Sequence, residues 1–278
     1  MRRRKTTMSF DPQAVRAFEH AGWQQAAAHY TKTFARATRG FIGDLLDAAR
    51  VRAGTHVLDL ACGPGEVAAA AAARRALPVG LDFSPAMIAV ARAGHPGIRF
   101  EEGDAEALPF AGGLFDAVVA NFGVHHVPEP IRALCEAHRV LRPGGRVAFT
   151  AWTAPAENIA WRILYDAISA HGDLAASDAP PPGGSLRQSE DLLRILSDAG
   201  FTDTEARRVW GEWRFPAAGD LLEGFRRGTV RTAALIDAQP DPALPQIEAA
   251  IARSVAAYRC ADGFAVPITA ILGSGVRG

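Results

Sequence analysis

Residues 57–73 read VLDLACGPGEVAAAAAA, and the organisation of the chain follows from this stretch. Val57 to Leu60 are apolar except for Asp59, which suits a strand covered on both faces. Ala61 to Gly65 are small and glycine-rich, and an alanine-rich helix follows. A glycine turn between a strand and a helix lets backbone come close to a ligand, at a distance that a Cβ would block.

The alternation continues downstream. LPVGLDF (77–83) predicts a second strand, with Ser84 capping a helix that has Pro85 in its first position. IRFEEGDA (98–105) and FDAVVANF (115–122) predict a third and a fourth strand. EPIRALCEAHRVLRP (129–143) predicts a helix stopped by Pro143-Gly144-Gly145, and RVAFTAW (146–152) a fifth strand. Strands alternating with helices imply a doubly wound parallel α/β sheet with right-handed crossovers. Before it, residues 11–50 carry helical patterning with breaks expected at Gly22 and Gly40. After it come a helix over 157–171, a loop DAPPPGGS (178–185), and EDLLRILSDAG (190–200) capped by Ser189. A strand or hairpin arm (201–215), a helical stretch over 219–258 broken at PDPALP, and a last strand GFAVPITAILG (263–273) complete the chain. This describes one sheet domain with a cap built from separate segments.

Thirty basic and thirty acidic side chains cancel, so no overall field favours nucleic acid or an anionic membrane. Cys62, Cys135 and Cys260 are widely spaced, which argues against a disulfide framework or a structural zinc and fits a cytoplasmic location. No metal is expected. No apolar run reaches the roughly 20 residues of a membrane span. Residues 1–8 read as a frayed basic tail, with Met8 a second candidate start.

In open α/β sheets ligands lie beyond the carboxyl ends of the strands. Gly63 and Gly65 turn the chain after the first strand, but Ala68 stands where a third dinucleotide-loop glycine would be, which disfavours a nicotinamide cofactor. Asp82 ends the second strand at a spacing suited to ribose hydroxyls. Asp104 follows the third strand, where it would accept an adenine amine while Ala105 offers a backbone N–H. Phe83 and Met87 supply apolar walls. Together these residues describe a nucleoside pocket. Asp59 either meets the ligand or caps the loop.

VLDLACGPG, GLDFSPAMIAVAR, FEEGDAEALPF, FDAVVANFGVHHVPEP and VLRPGGRVAFTAW together resemble the successive motifs of class I S-adenosylmethionine-dependent methyltransferases, most closely the ubiquinone/menaquinone-biosynthesis type. The resemblance covers residues 41–152. It implies a Rossmann-like, seven-stranded, mostly parallel sheet with its last strand antiparallel. It also implies S-adenosylmethionine as methyl donor and S-adenosylhomocysteine as product. On this reading Asp59, Ala61, Gly63 and Gly65 surround the methionine end, Asp82 the ribose, and Phe83, Met87, Asp104 and Ala105 the adenine. Asn121 lies beneath the sulfonium. Residues 1–40 resemble the family's helical lid, with residues 41–278 forming the methyltransferase domain and cap insertions at about 153–185 and 216–260. Trp23 and Tyr30 are seven apart and share a helical face, from which they would close over the methionine end.

His126 and His125 follow the fourth strand, where acceptor meets methyl group; either is a candidate base, or the two are a structural pair hydrogen-bonded to backbone. Trp23, Trp152, Tyr165 and Trp213 are the candidates for an acceptor pocket, with Glu157, His171 and Trp210 also in cap segments. The expected partner is a small, partly apolar acceptor methylated at oxygen or carbon by in-line substitution, with the chain a monomer or homodimer. An amine acceptor and a non-catalytic nucleoside-binding module stand as alternatives.

Overall fold

The computed structural model describes residues 10–278; the tail read over residues 1–8 lies outside the described residues. Five strands run parallel in the order β3-β2-β1-β4-β5: β1 (His56–Leu60), β2 (Leu77–Asp82), β3 (Arg99–Glu102), β4 (Phe115–Asn121) and β5 (Leu141–Trp152). Beyond β5, the long strands β6 (Phe201–Phe215) and β8 (Gly263–Arg277) complete the sheet. β8 lies between β5 and β6 and is antiparallel to both. The expected seven strands are therefore present, and an eighth, the two-residue β7 (Arg259–Cys260), pairs with β8. Strand order reverses between β1 and β4, so the ligand-binding crevice expected of such a sheet opens beyond Leu60 and Asn121.

Successive side chains of the central strands point to opposite faces. Val57, Ala117 and Val119 join one buried cluster, while Leu58, Leu60, Val118 and Ala120 join the other. The second face is covered by α6 (Pro130–Val140) and α8 (Ser189–Asp198) through Leu134, Val140, Leu192 and Leu196. The first is covered by α3 (Ile42–Ala48), α4 (Glu66–Ala73) and α7 (Ile159–His171), together with α9 (Asp220–Gly228), α10 (Arg231–Asp237) and α11 (Leu244–Val255). α5 (Pro85–Gly94) follows β2 and starts as expected, with Ser84 Oγ accepting from Met87 N. At the amino end lie α1 (Pro12–Tyr30) and the short α2 (Ala35–Thr38). No described helix is long and apolar enough to cross a membrane.

Three local expectations are corrected. α1 runs through Gly22 without a break. The glycine serves packing instead: a Cβ there would stand 2.3 Å from Cγ1 of Val230. α6 stops at Val140, and Leu141 already pairs with Phe115. Pro143-Gly144-Gly145 therefore does not end a helix but lies in a bulge of β5, with Gly144 at a φ of 76°. Gln188, not Ser189, caps α8, in a reciprocal pair with Asp191.

Candidate active site

The crevice beyond β1 and β4 is a cleft of about 960 Å³, open mouth included. Its floor comes from the carboxyl ends of β1, β2 and β4, and its other wall from α1. Ten of the eleven residues assigned to the cofactor line it: Tyr30, Asp59, Ala61, Gly63, Asp82, Phe83, Met87, Asp104, Ala105 and Asn121. Gly65 does not. It starts α4 at a φ of 83°, and a Cβ there would stand 2.5 Å from the Phe100 ring. Its role in the structure is the turn and the close packing beneath it.

Asp59 is 1% exposed. One of its oxygens, Oδ2, accepts from Ala68 N at 2.9 Å and ties the strand to α4, while Oδ1 is buried without a partner. Burial, with a contribution from the Asp82 charge, pushes its carboxyl up to about 8. Asp82 accepts from Gly63 N and from Ser84 N, both at 2.9 Å, joining the glycine turn to the end of β2. Burial pushes its carboxyl up to about 6, those two N–H bonds opposing the rise. Gly63 has a φ of 52° and no protein atom near the position of a Cβ, so its backbone faces open space. A buried acceptor lacking a donor and a bare backbone turn fit a cationic, carboxylate-bearing ligand end such as methionine.

At the far end of the cleft, Asp104 accepts from Glu106 N at 2.9 Å and pairs with Arg16 of α1, which also pairs with Glu106. Asn121 is held from two sides, its amide donating to Thr38 O at 3.1 Å and its carbonyl accepting from Thr150 Oγ1 at 2.8 Å. The Tyr30 hydroxyl lies 3.3 Å from Thr38 Oγ1, and burial pushes it up to about 12. Gln24 of α1 accepts from Ser84 Oγ and Ala86 N, docking the helix on the start of α5.

Of the two histidines, His126 lines the cleft and His125 does not. The His125 Nδ1 is buried without a partner, and burial holds its ring well below the usual imidazole range. His126 meets the edge of Trp23 at 4.9 Å between ring centroids, and its Nδ1 lies 3.0 Å from Glu19 Oε2. Trp23 also lines the cleft. The other acceptor-pocket candidates lie elsewhere. Trp152 stacks on Phe122 at 3.8 Å, Trp213 is 1% exposed between Phe34 and Phe225, and Tyr165 packs against the same core. Trp210 is 72% exposed, and Glu157 pairs with Arg208 at the surface.

Sequence reasoning missed Arg16, Glu19, Gln24, Thr38 and Arg231. Arg16 had a signal, because it precedes Trp23 by the same seven residues that separate Trp23 from Tyr30. Glu19 lies on that face one turn further along. Arg231 had none, since its place depends on how the late helices fold back.

A family model described as "Methyltransferase domain" matches residues 58–149. Over 185 residues the chain is 37% identical to a demethylmenaquinone methyltransferase of Paenarthrobacter aurescens, covering 63% of this chain and 73% of that one. It is 39% identical over 173 residues to the protein of the same name from Thermus thermophilus, covering 56% and 79%. In fold it is similar to an S-adenosylmethionine-dependent methyltransferase from Thermotoga maritima, with a TM-score of 0.56 at 16% identity over 94% of this chain and 100% of that one. The motif order, the placement of the motifs around one crevice and the extent of these matches agree: the chain belongs to the class I S-adenosylmethionine-dependent methyltransferases of the ubiquinone/menaquinone-biosynthesis type.

Proposed function

We propose that the protein methylates a ring carbon of a small apolar hydroquinone, of the demethylmenaquinol class, using S-adenosylmethionine. The names of the relatives that match over most of their length carry the acceptor class. The cleft supports it, because Ile42, Phe122, Val127 and Pro128 give one part of the wall an apolar surface beside His126. A reduced ring is the chemically sensible acceptor, since an oxidised quinone is too poor in electrons to attack a methyl group.

On this reading Asp59 and the turn through Gly63 hold the methionine end, Asp82 the ribose, and Asp104 with Ala105 the adenine. Of the lid expected over residues 1–40, the described residues 10–40 act as a lid over a methyltransferase domain of residues 41–278. When bound, the sulfonium supplies a methyl group whose bond to sulfur breaks with its electron pair on sulfur. His126 takes the proton of a ring hydroxyl, and the phenolate's electrons form the new carbon–carbon bond. The ring C–H proton then leaves to water, its electron pair restores the aromatic ring, and the imidazolium returns its proton to the oxygen. Overall the methylated hydroquinone and S-adenosylhomocysteine are formed and one proton is released. Alignment within a water-poor cleft supplies much of the acceleration, with effective molarities that reach about 10⁵ M or more.

The experiment is transfer of labelled methyl from S-adenosylmethionine to a short-chain prenyl naphthohydroquinone, kept reduced, beside its oxidised form and a panel of phenols and amines. Label on the ring carbon of the reduced compound is the expected result. Transfer to an amine, with none to the hydroquinone, would overturn this reading.

A further inference from the structure

Glu19 stands outside the cofactor residues, yet its environment is unusual. The side chain is 0% exposed in the middle of α1, where a charge is strongly disfavoured unless it is paired. Two partners from distant parts of the chain meet it. Oε2 lies 3.0 Å from His126 Nδ1, in the turn after β4, and Oε1 forms an ion pair with Arg231 Nε at the start of α10, at 2.6 Å but without the alignment of a hydrogen bond. Arg231 is itself held by donating to Pro180 O at 2.5 Å, with its guanidinium 5.5 Å from the centre of the Phe18 ring. His126 and Arg231 keep the carboxyl ionised against its burial, below the ordinary carboxylate range.

An ionised carboxylate accepts hydrogen bonds and donates none. Contact at Nδ1 therefore requires the proton of a neutral His126 ring to sit on Nδ1, leaving the lone pair on Nε2. Among the described residues, Nε2 has no hydrogen-bond partner. Trp23 contacts the ring edge-on at 4.9 Å and fixes its plane at the cleft wall.

We infer that Glu19 is a positioning residue for His126: it holds the imidazole as the Nδ1–H tautomer with Nε2 free to accept a proton, and Arg231 fixes the carboxylate that does so. This rests on the reading of His126 as the base. The proton moves from the acceptor hydroxyl to Nε2 while the Nδ1–H bond to Glu19 stays in place and steadies the imidazolium. The lid helix thus delivers part of the catalytic group, and α10 fastens it.

Nitrogen-15 NMR of histidine-labelled protein with S-adenosylhomocysteine bound tests the contact without any acceptor, with His126→Gln assigning the signal. Wild-type His126, when neutral, is expected to carry its proton on Nδ1. A proton on Nε2 overturns the proposal. Kinetics with the naphthohydroquinone supply the second reading, using Glu19→Gln, which keeps the size of the side chain. The kcat is expected to fall about tenfold or more, with KM for S-adenosylmethionine within about twofold. Glu19 and His125 contact the ring and Asp82 interacts with it electrostatically, while Arg231 pairs with the other oxygen of Glu19 and Arg187 acts on His125. A merely structural role for Glu19 would leave the pH profile of kcat/KM in place, whereas Glu19→Gln is expected to change its acid limb. Unchanged kcat and pH profile in Glu19→Gln, with His126→Gln impaired, would overturn the positioning role alone. Full activity of His126→Gln would instead remove the base, and the wild-type tautomer would still report on Glu19.

Discussion

Asp59 and Asp82 are neighbours across two strand ends, both buried, and both titrate above the ordinary carboxylate range. Folding therefore favours their protonated forms. Between about pH 4 and pH 8 these two carboxyls hold more protons in the folded chain than in the unfolded one, so their contribution to the stability of the ligand-free protein falls as pH rises through that window. A ligand with a cationic amine and ribose hydroxyls pairs with the ionised forms and opposes the trend. S-adenosylhomocysteine should raise the melting temperature more at pH 8 than at pH 6, and Asp59→Asn should remove much of the difference. Equal shifts at both pH values in the wild type would contradict this coupling. Asp82→Ala should raise the dissociation constant for S-adenosylmethionine at least tenfold, about 1.4 kcal/mol by calorimetry. An unchanged constant would take Asp82 out of the ribose site.

At the scale of the element, α1 has two working faces. Arg16, Trp23 and Tyr30 recur at intervals of seven and look into the cleft, while Gly22 meets Val230, the residue just before α10. Alanine normally favours a helix interior over glycine by about 1 kcal/mol. Here a Cβ 2.3 Å from a stiff, branched side chain reverses the sign. Gly22→Ala should destabilise by about 1–3 kcal/mol in chemical denaturation, and by less in a Val230→Ala background. A stabilised Gly22→Ala would refute the contact. The sequence pattern is ambiguous at this position because an isolated glycine in a helical pattern marks either a break or a close approach. The end of α6 is hard to read for a similar reason: Pro-Gly-Gly signals a turn, and the bulge appears once β4 has aligned with β5.

Over the whole molecule, the amino-terminal helices, the sheet and helices α7 and α9 to α11 share one core. Phe34, between α1 and α2, contacts Trp152 of β5, Trp161 of α7, Trp213 of β6 and Phe225 of α9 at ring-centroid distances of 5.8, 5.8, 5.1 and 5.9 Å. Such a cluster joins segments from both ends of the chain and makes independent unfolding of the cap costly. Phe225→Ala should destabilise by about 3–5 kcal/mol, and tryptophan fluorescence and far-ultraviolet circular dichroism should report one coincident transition in the wild type. Two separated transitions would show that the inserted helices form their own unit. The tryptophans sought for an acceptor pocket went largely into this cluster, since large aromatic rings bury more surface there than at a rim.

The residues that line the crevice beyond β1 and β4 were legible where each sits at the end of its own apolar strand or in the turn after it. A parallel sheet places all such ends on one edge, so local pattern plus strand order brings Asp59, Gly63, Asp82, Asp104 and Asn121 together. The contact of Glu19 with His126 and Arg231 has no such local rule. It joins α1, the turn after β4 and α10, which are far apart in the chain, and it exists because burying one carboxylate demanded partners from both sides. Periodicity shows which face of α1 turns inward. Where that face meets the rest of the protein is decided by long-range packing, and with it which histidine reaches the cleft.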